Sequence, residues 1–79
     1  MKLTVYSRAG CTLCDEMLQE LASLPDSDQF AIEVLDVDAD AAARSRYGHK
    51  IPVLLMSGEM VCHGRLDPEE LRKSVALLR

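Results

Sequence analysis

The run Tyr6-Ser7-Arg8-Ala9-Gly10-Cys11-Thr12-Leu13-Cys14 places two cysteines where a strand gives way to a helix. Upstream, Lys2-Leu3-Thr4-Val5-Tyr6-Ser7 alternates apolar and polar residues and carries β-branched and aromatic side chains, which predicts a strand over residues 2–7. Downstream, Leu13, Met17, Leu18, Leu21 and Leu24 fall at helical spacing before Pro25, which predicts a helix over residues 12–24. Asp15 and Glu16 occupy its first turn, where the helix dipole favours carboxylates. Arg8-Ala9-Gly10 is the connecting loop.

This placement has chemical consequences. Residues i and i+3 share a helix face, so the two sulfurs can approach bonding distance. Cys11 falls at or just before the helix N-terminus, where unpaired N–H groups and the dipole favour a thiolate. Cys14 lies one turn inside, with its sulfur less exposed. The asymmetry divides the labour: Cys11 attacks a disulfide and Cys14 resolves the mixed disulfide. Arg8 is placed to add positive charge beside the thiolate, while Asp15 and Glu16 oppose it. Zinc would need further ligands from His49, Cys62 and His63, but Cys62 and His63 are adjacent on an expected strand and point to opposite faces. No metal site is expected.

The remaining elements extend outward from this junction. Residues 30–36 read as a second strand, and residues 38–47 as a short Ala-rich helix that Asp38 or Asp40 caps and Gly48 closes. Residues 52–57 form a third strand that opens on Pro52. Gly58-Glu59 turns the chain, and residues 60–63 return antiparallel. The last helix starts at Asp67 as N-cap with Pro68 at its first position and Glu70 completing a capping box. Leu66 and Leu71 take the staple positions, and Leu71, Val75 and Leu78 form the apolar stripe. Strands one and two, joined through a helix, should be parallel with a right-handed crossover.

Seventy-nine residues make one small domain, spanning 1–79, and the 48% hydrophobic content is that of a folded chain rather than a disordered one. No apolar run approaches the roughly 18 residues of a membrane span, and no signal peptide is expected at the N-terminus. The net charge of −4, with basic residues scattered and only three aromatic residues, argues against nucleic acid and against an anionic membrane surface as partners. Three cysteines, an odd count, do not suit a secreted disulfide scaffold, so a cytoplasmic location is expected; a monomer is the separate expectation for its assembly.

The element order, the C-x-x-C after the first strand and the Ile51-Pro52-Val53 step together resemble the thioredoxin fold, and more narrowly the glutaredoxin-like family. The resemblance covers Leu3 to Leu78. Tyr6-Ser7-Arg8, Leu13-Cys14-Asp15, Tyr47-Gly48 and Leu66-Asp67 are similar to a set of short bacterial glutaredoxin-like proteins. The resemblance implies an α/β fold, β-α-β-α-β-β-α, with a four-stranded mixed sheet in order 2-1-3-4. The first and last helices cover one face and the middle helix the other. It also implies a cis peptide at Ile51–Pro52 facing the cysteine pair, with Arg8 where the family usually places a lysine. Thr12-Leu13 stands in place of the family's Pro-Tyr. Cys62-His63-Gly64-Arg65-Leu66-Asp67 keeps one glycine and one aspartate of the family's glutathione-holding run.

The expectation is therefore a thiol–disulfide oxidoreductase with Cys11 and Cys14 catalytic and Arg8, Ile51 and Pro52 supporting. Thr12, Leu13, Gly64 and Asp67 are the candidate contacts to glutathione or another substrate. The substrate would be a protein or glutathione mixed disulfide, with a thiol reductant and no resident cofactor. Two alternatives stay open: a redox-inert thioredoxin-like module that binds a protein, and an iron–sulfur or metal carrier acting through the cysteines. Cys62 reads first as a small buried core residue and second as a third redox thiol. His49 and Lys50 read as solvated loop residues, and Tyr6 and Tyr47 as packing.

Overall fold

The computed structural model describes residues 1–77. It contains β1 (Lys2–Ser7), α1 (Thr12–Ala22), β2 (Ala31–Asp36), α2 (Ala41–Tyr47), β3 (Val53–Met56), β4 (Glu59–His63) and α3 (Pro68–Leu77), with single 3₁₀ turns at Ser27–Gln29 and Val37–Ala39. The sheet order is β2-β1-β3-β4. β1 and β2 run parallel, and the β1–β3 and β3–β4 pairs are antiparallel. This is the thioredoxin-like arrangement in the expected strand order.

Alternation along the strands sorts side chains onto two faces. Leu3 and Val5 of β1 and Leu54 and Met56 of β3 point to one face, where Met17 and Leu21 of α1 and Leu71 of α3 cover them. The opposite face carries Tyr6, Leu35, Val53 and Leu55, against which α2 lays Ala43 and Tyr47. The rings of Tyr6 and Tyr47 stack at 5.2 Å between centroids. β3 is covered on both sides, so all four of its residues are buried and its sequence is one apolar run.

Several boundaries differ from the expectation, each for a local reason. α1 ends at Ala22, not at residue 24, because Ser23 caps it with its backbone N–H on Gln19 O (3.1 Å) and its hydroxyl on the same carbonyl (2.9 Å). Leu24 still packs on the core from outside the helix. The expected helix over 38–47 divides in two. The Asp36 carboxylate accepts from Asp38 N–H (2.9 Å) and opens the 3₁₀ turn, and the Asp40 carboxylate accepts from Ala42 N–H (3.0 Å) and opens α2. Gly48 closes α2 with right-handed backbone (φ −55°), not with the left-handed geometry usual for a terminal glycine.

The hairpin turn is Ser57-Gly58, both at positive φ, so β4 begins at Glu59, one residue earlier than expected. A bulge shifts the β3–β4 register, with Leu54 facing Cys62 and Leu55 facing Met60. At α3 the Asp67 carboxylate accepts from the N–H groups of Glu69 (3.1 Å) and Glu70 (3.2 Å), which makes it the N-cap. The reciprocal half of the capping box is diverted: Glu70 lies 3.5 Å from Lys73 Nζ. Leu66 and Leu71 are both buried. Leu78 lies outside the described residues. No helix among the described residues is long and apolar enough to cross a membrane.

Candidate functional site

β1 delivers the chain to one end of the sheet, and a turn through Ala9-Gly10 returns it into α1, with Cys11 N–H donating to Arg8 O at 3.2 Å. Cys11 is the N-cap of α1: its backbone is extended and its sulfur accepts from Cys14 N–H at 3.2 Å. The two sulfurs stand at disulfide-bonding distance, with 5.2 Å between the Cα atoms. Cys14 is fully buried while Cys11 is half-buried, so solvent reaches the first residue and not the second. A donor N–H at a helix N-terminus favours negative charge on the Cys11 sulfur.

Register brings the other expected residues to the same end. Tyr6 pairs with Val53, so Pro52 follows β1 outward beside Ser7. The Ile51–Pro52 peptide is cis and the proline ring is fully buried. Val53 also pairs with His63, and the next residue, Gly64, donates its N–H to Pro52 O at 2.8 Å. The Cys11–Cys14 pair, Ile51-Pro52 and the Gly64–Asp67 turn thus converge on one pole. Thr12 and Leu13 are exposed there, with Leu13 48% accessible. The Asp67 carboxylate is occupied by the α3 N-terminus, and the Gly64 N–H by Pro52.

Arg8, expected to support the pair with its charge, has its guanidinium engaged by Asp38 and Gly48. Its Nε and Nη2 donate to the two carboxylate oxygens of Asp38 at 2.7 and 2.8 Å, and Nη1 lies 3.4 Å from Gly48 O. The mutual hydrogen bond holds Asp38 below the ordinary carboxylate range and raises Arg8 further. The sequence reading placed Asp38 only as a helix cap and missed this partner. A signal was present: Ser7 pairs with Asp36 on parallel strands, so Arg8 and Asp38 leave the sheet side by side with opposite charges.

Cys62 is half-buried against the core rather than fully buried, and burial pushes its thiol pKa up against the opposing pull of Asp67 N–H. His63, His49 and Lys50 are exposed. Among the described residues no group of three or more His, Cys, Asp or Glu gathers to hold a metal ion. An open groove of ≈ 600 Å³ beside the β4–α3 turn is lined by Cys62, Leu66 and Asp67, and a wider one of ≈ 740 Å³ lies on the α2 face against Tyr6 and Tyr47; neither paired cysteine lines either groove.

Comparison with known proteins agrees with this geometry. An X-ray structure of the target protein XcR50 from X. campestris superposes with a TM-score of 0.73 at 33% identity, covering 95% of this chain and 96% of that one. The solution NMR structure of protein Ne2328 from Nitrosomonas europaea gives a TM-score of 0.82 at 33% identity, over 92% and 88% of the two chains. Uncharacterized proteins of Mycobacterium bovis and Mycobacterium tuberculosis are 28% identical over 82 residues, covering 95% of this chain and 82% of theirs. The model of the glutaredoxin-like domain (DUF836) matches residues 2–76. Over that span, with its paired cysteines at the head of α1, the chain belongs to the glutaredoxin-like domain family.

Proposed function

We propose that the chain is a thiol–disulfide oxidoreductase in which Cys11 attacks and Cys14 resolves. The observation that carries the reading is the unequal pair: a half-buried Cys11 sulfur at the α1 N-terminus that accepts Cys14 N–H, beside a Cys14 with no exposure. In the reducing direction the Cys11 thiolate attacks one sulfur of a substrate disulfide. The Cys11–substrate bond forms, the substrate S–S bond breaks, and the first substrate thiolate leaves and takes a proton. Cys14 then loses its proton and attacks the Cys11 sulfur, releasing the second substrate thiol. Two electrons have passed to the substrate, and the domain holds the Cys11–Cys14 disulfide. An external thiol reductant returns it to the dithiol.

The substrate is a protein disulfide or a glutathione mixed disulfide, met by the exposed Thr12 and Leu13, with Gly64 and Asp67 shaping the neighbouring turn while their N–H and carboxylate stay engaged within the domain. A cytoplasmic setting suits the chemistry, because its thiol pool keeps the dithiol form charged. The test equilibrates the protein in graded glutathione buffers, quenches with acid and reads intact and peptide masses. The expected result is a Cys11–Cys14 disulfide with a midpoint between roughly −180 and −270 mV. Cys14→Ser should trap a mixed disulfide on Cys11. A pair that stays reduced across the series, or disulfide reductase activity surviving Cys11→Ser, overturns the reading.

A further inference from the structure

Arg8 is the meeting point of three chain segments. Its backbone carbonyl takes the N–H of Cys11 at 3.2 Å. Its guanidinium grips Asp38, in the link between β2 and α2, through two parallel bonds of 2.7 and 2.8 Å. The remaining nitrogen reaches the carbonyl of Gly48 at 3.4 Å, at the end of α2. From there the chain makes one more turn, with Lys50 N–H on Tyr47 O at 2.8 Å, and enters Ile51-Pro52. One side chain therefore bridges the loop that carries Cys11 and the loop that carries the proline, and Asp38 fixes that side chain in place.

The form of the contact matters. A planar guanidinium bound to both oxygens of one carboxylate has a fixed direction, which a single-point ammonium contact lacks. Lys2–Glu33, at the other end of β1, is such a single contact at 3.4 Å between two exposed groups. It joins neighbouring strands that the sheet already joins. The Arg8–Asp38 pair lies just past the last rung of the β1–β2 ladder, Ser7 with Asp36, and carries the connection into the loops beyond it.

We infer that Asp38 is a positioning residue for the Cys11–Cys14 pair: by holding Arg8 against the Gly48 carbonyl, it locks the Cys11 loop to the segment that leads into Ile51-Pro52. The consequence for the pair rests on the redox reading above; the lock itself does not. Loosening the lock frees the loop in which the disulfide is held, and that favours the dithiol form.

The test uses the oxidised protein and amide hydrogen exchange at Cys11, Gly48 and Lys50, which sit on the two bridged loops. Asp38→Asn and Arg8→Lys should each speed exchange at all three by about twofold or more, while Glu33→Gln, which removes the same charge elsewhere, should not. The exchanged pair, Arg8→Asp with Asp38→Arg, should move the rates back toward those of the parent. In glutathione buffers Asp38→Asn should shift the Cys11–Cys14 equilibrium toward the dithiol by about twofold or more. Exchange that changes only within residues 36–40, or an equilibrium unmoved by Asp38→Asn, overturns the inference. If the parent forms no disulfide with glutathione, the redox reading fails, and the amide rates still decide whether Asp38 locks the two loops.

Discussion

The N–H of Gly64 donates to the carbonyl of Pro52 at 2.8 Å, which fastens the turn after β4 to the residue just before β3, at the end of the sheet that carries the cysteine pair. Gly64 makes this bond from a left-handed backbone, φ +78°. A Cβ at this position would meet nothing within 4 Å, so any penalty for a side chain is conformational rather than steric. Gly64→Ala should therefore lower stability by about 1 kcal/mol, and Gly64→Asn by less, because asparagine tolerates that region. Urea unfolding of the three proteins measures the order; an alanine variant as stable as the parent would contradict it.

Gly48 reverses that logic. Its φ of −55° suits any residue, but an added Cβ would lie 2.5 Å from the backbone oxygen of Arg44. Backbone yields poorly, so Gly48→Ala should destabilise by roughly 1–3 kcal/mol where helix propensity alone forecasts a gain. The Gly48 carbonyl also receives Arg8, so the same variant should disturb the Cys11 loop. Thermal melting checks the first effect and amide exchange at Cys11 the second.

The succession of elements and the cysteine junction were legible because each rests on a pattern within one segment: alternation over residues 2–7, helical spacing from Leu13 to Leu21, and the Asp67-Pro68 start of α3; the strand order and the helix faces came only with the family resemblance, because they rest on pairings between segments. What escaped depends on pairs of segments. Three aspartates spaced by two, at 36, 38 and 40, read equally well as one helix cap. Only the parallel register that sets Ser7 beside Asp36 assigns Asp36 and Asp40 to caps and frees Asp38 for Arg8. The β3–β4 bulge is likewise set by the pairing of two strands and not by either strand alone. Leu24 was placed on the right face but in the wrong element, because apolar spacing continues past the point where Ser23 ends the hydrogen-bond ladder.

That last distinction gives a stability contrast. Leu21 has no exposure and sits in the central cluster, whereas Leu24 is only partly buried at its margin. Leu21→Ala should cost about 3 kcal/mol or more, a large share of what a domain of this size holds, and Leu24→Ala roughly half as much. Denaturant midpoints for the two variants read the difference directly, and equal losses would show the margin of the core to be as tightly packed as its centre.

Acid should erode the Arg8–Asp38 lock in a defined window. Asp38 titrates below its ordinary value of 3.8 because Arg8 hydrogen-bonds its ionised form. Its contribution to folding is therefore fully present above that ordinary value and is lost as the pH falls through the lower, folded-state value. Arg8 stays charged throughout and adds no dependence of its own. The melting temperatures of the parent and Asp38→Asn should thus differ at neutral pH and converge in strong acid. A gap that persists unchanged below the carboxylate range would mean that the variant acts through something other than the lost charge.

Cys62 separates a structural thiol from a third redox partner. Burial raises its pKa, and the nearby carboxylates of Asp67 and Glu70 add to that, with Asp67 N–H as the opposing influence. Less thiolate and less access both slow alkylation. In the reduced protein at mildly alkaline pH, iodoacetamide should label Cys11 well before Cys62. Cys62→Ala removes a half-buried sulfur packed against the core, a loss of about 1 kcal/mol that melting would register. The Cys11–Cys14 equilibrium with glutathione should stay within about twofold of the parent, because a thiol that only packs takes no part in the exchange. A large shift in that equilibrium, or a Cys62-containing disulfide in the peptide masses, would place the third sulfur in the electron path and make the present division of roles untenable.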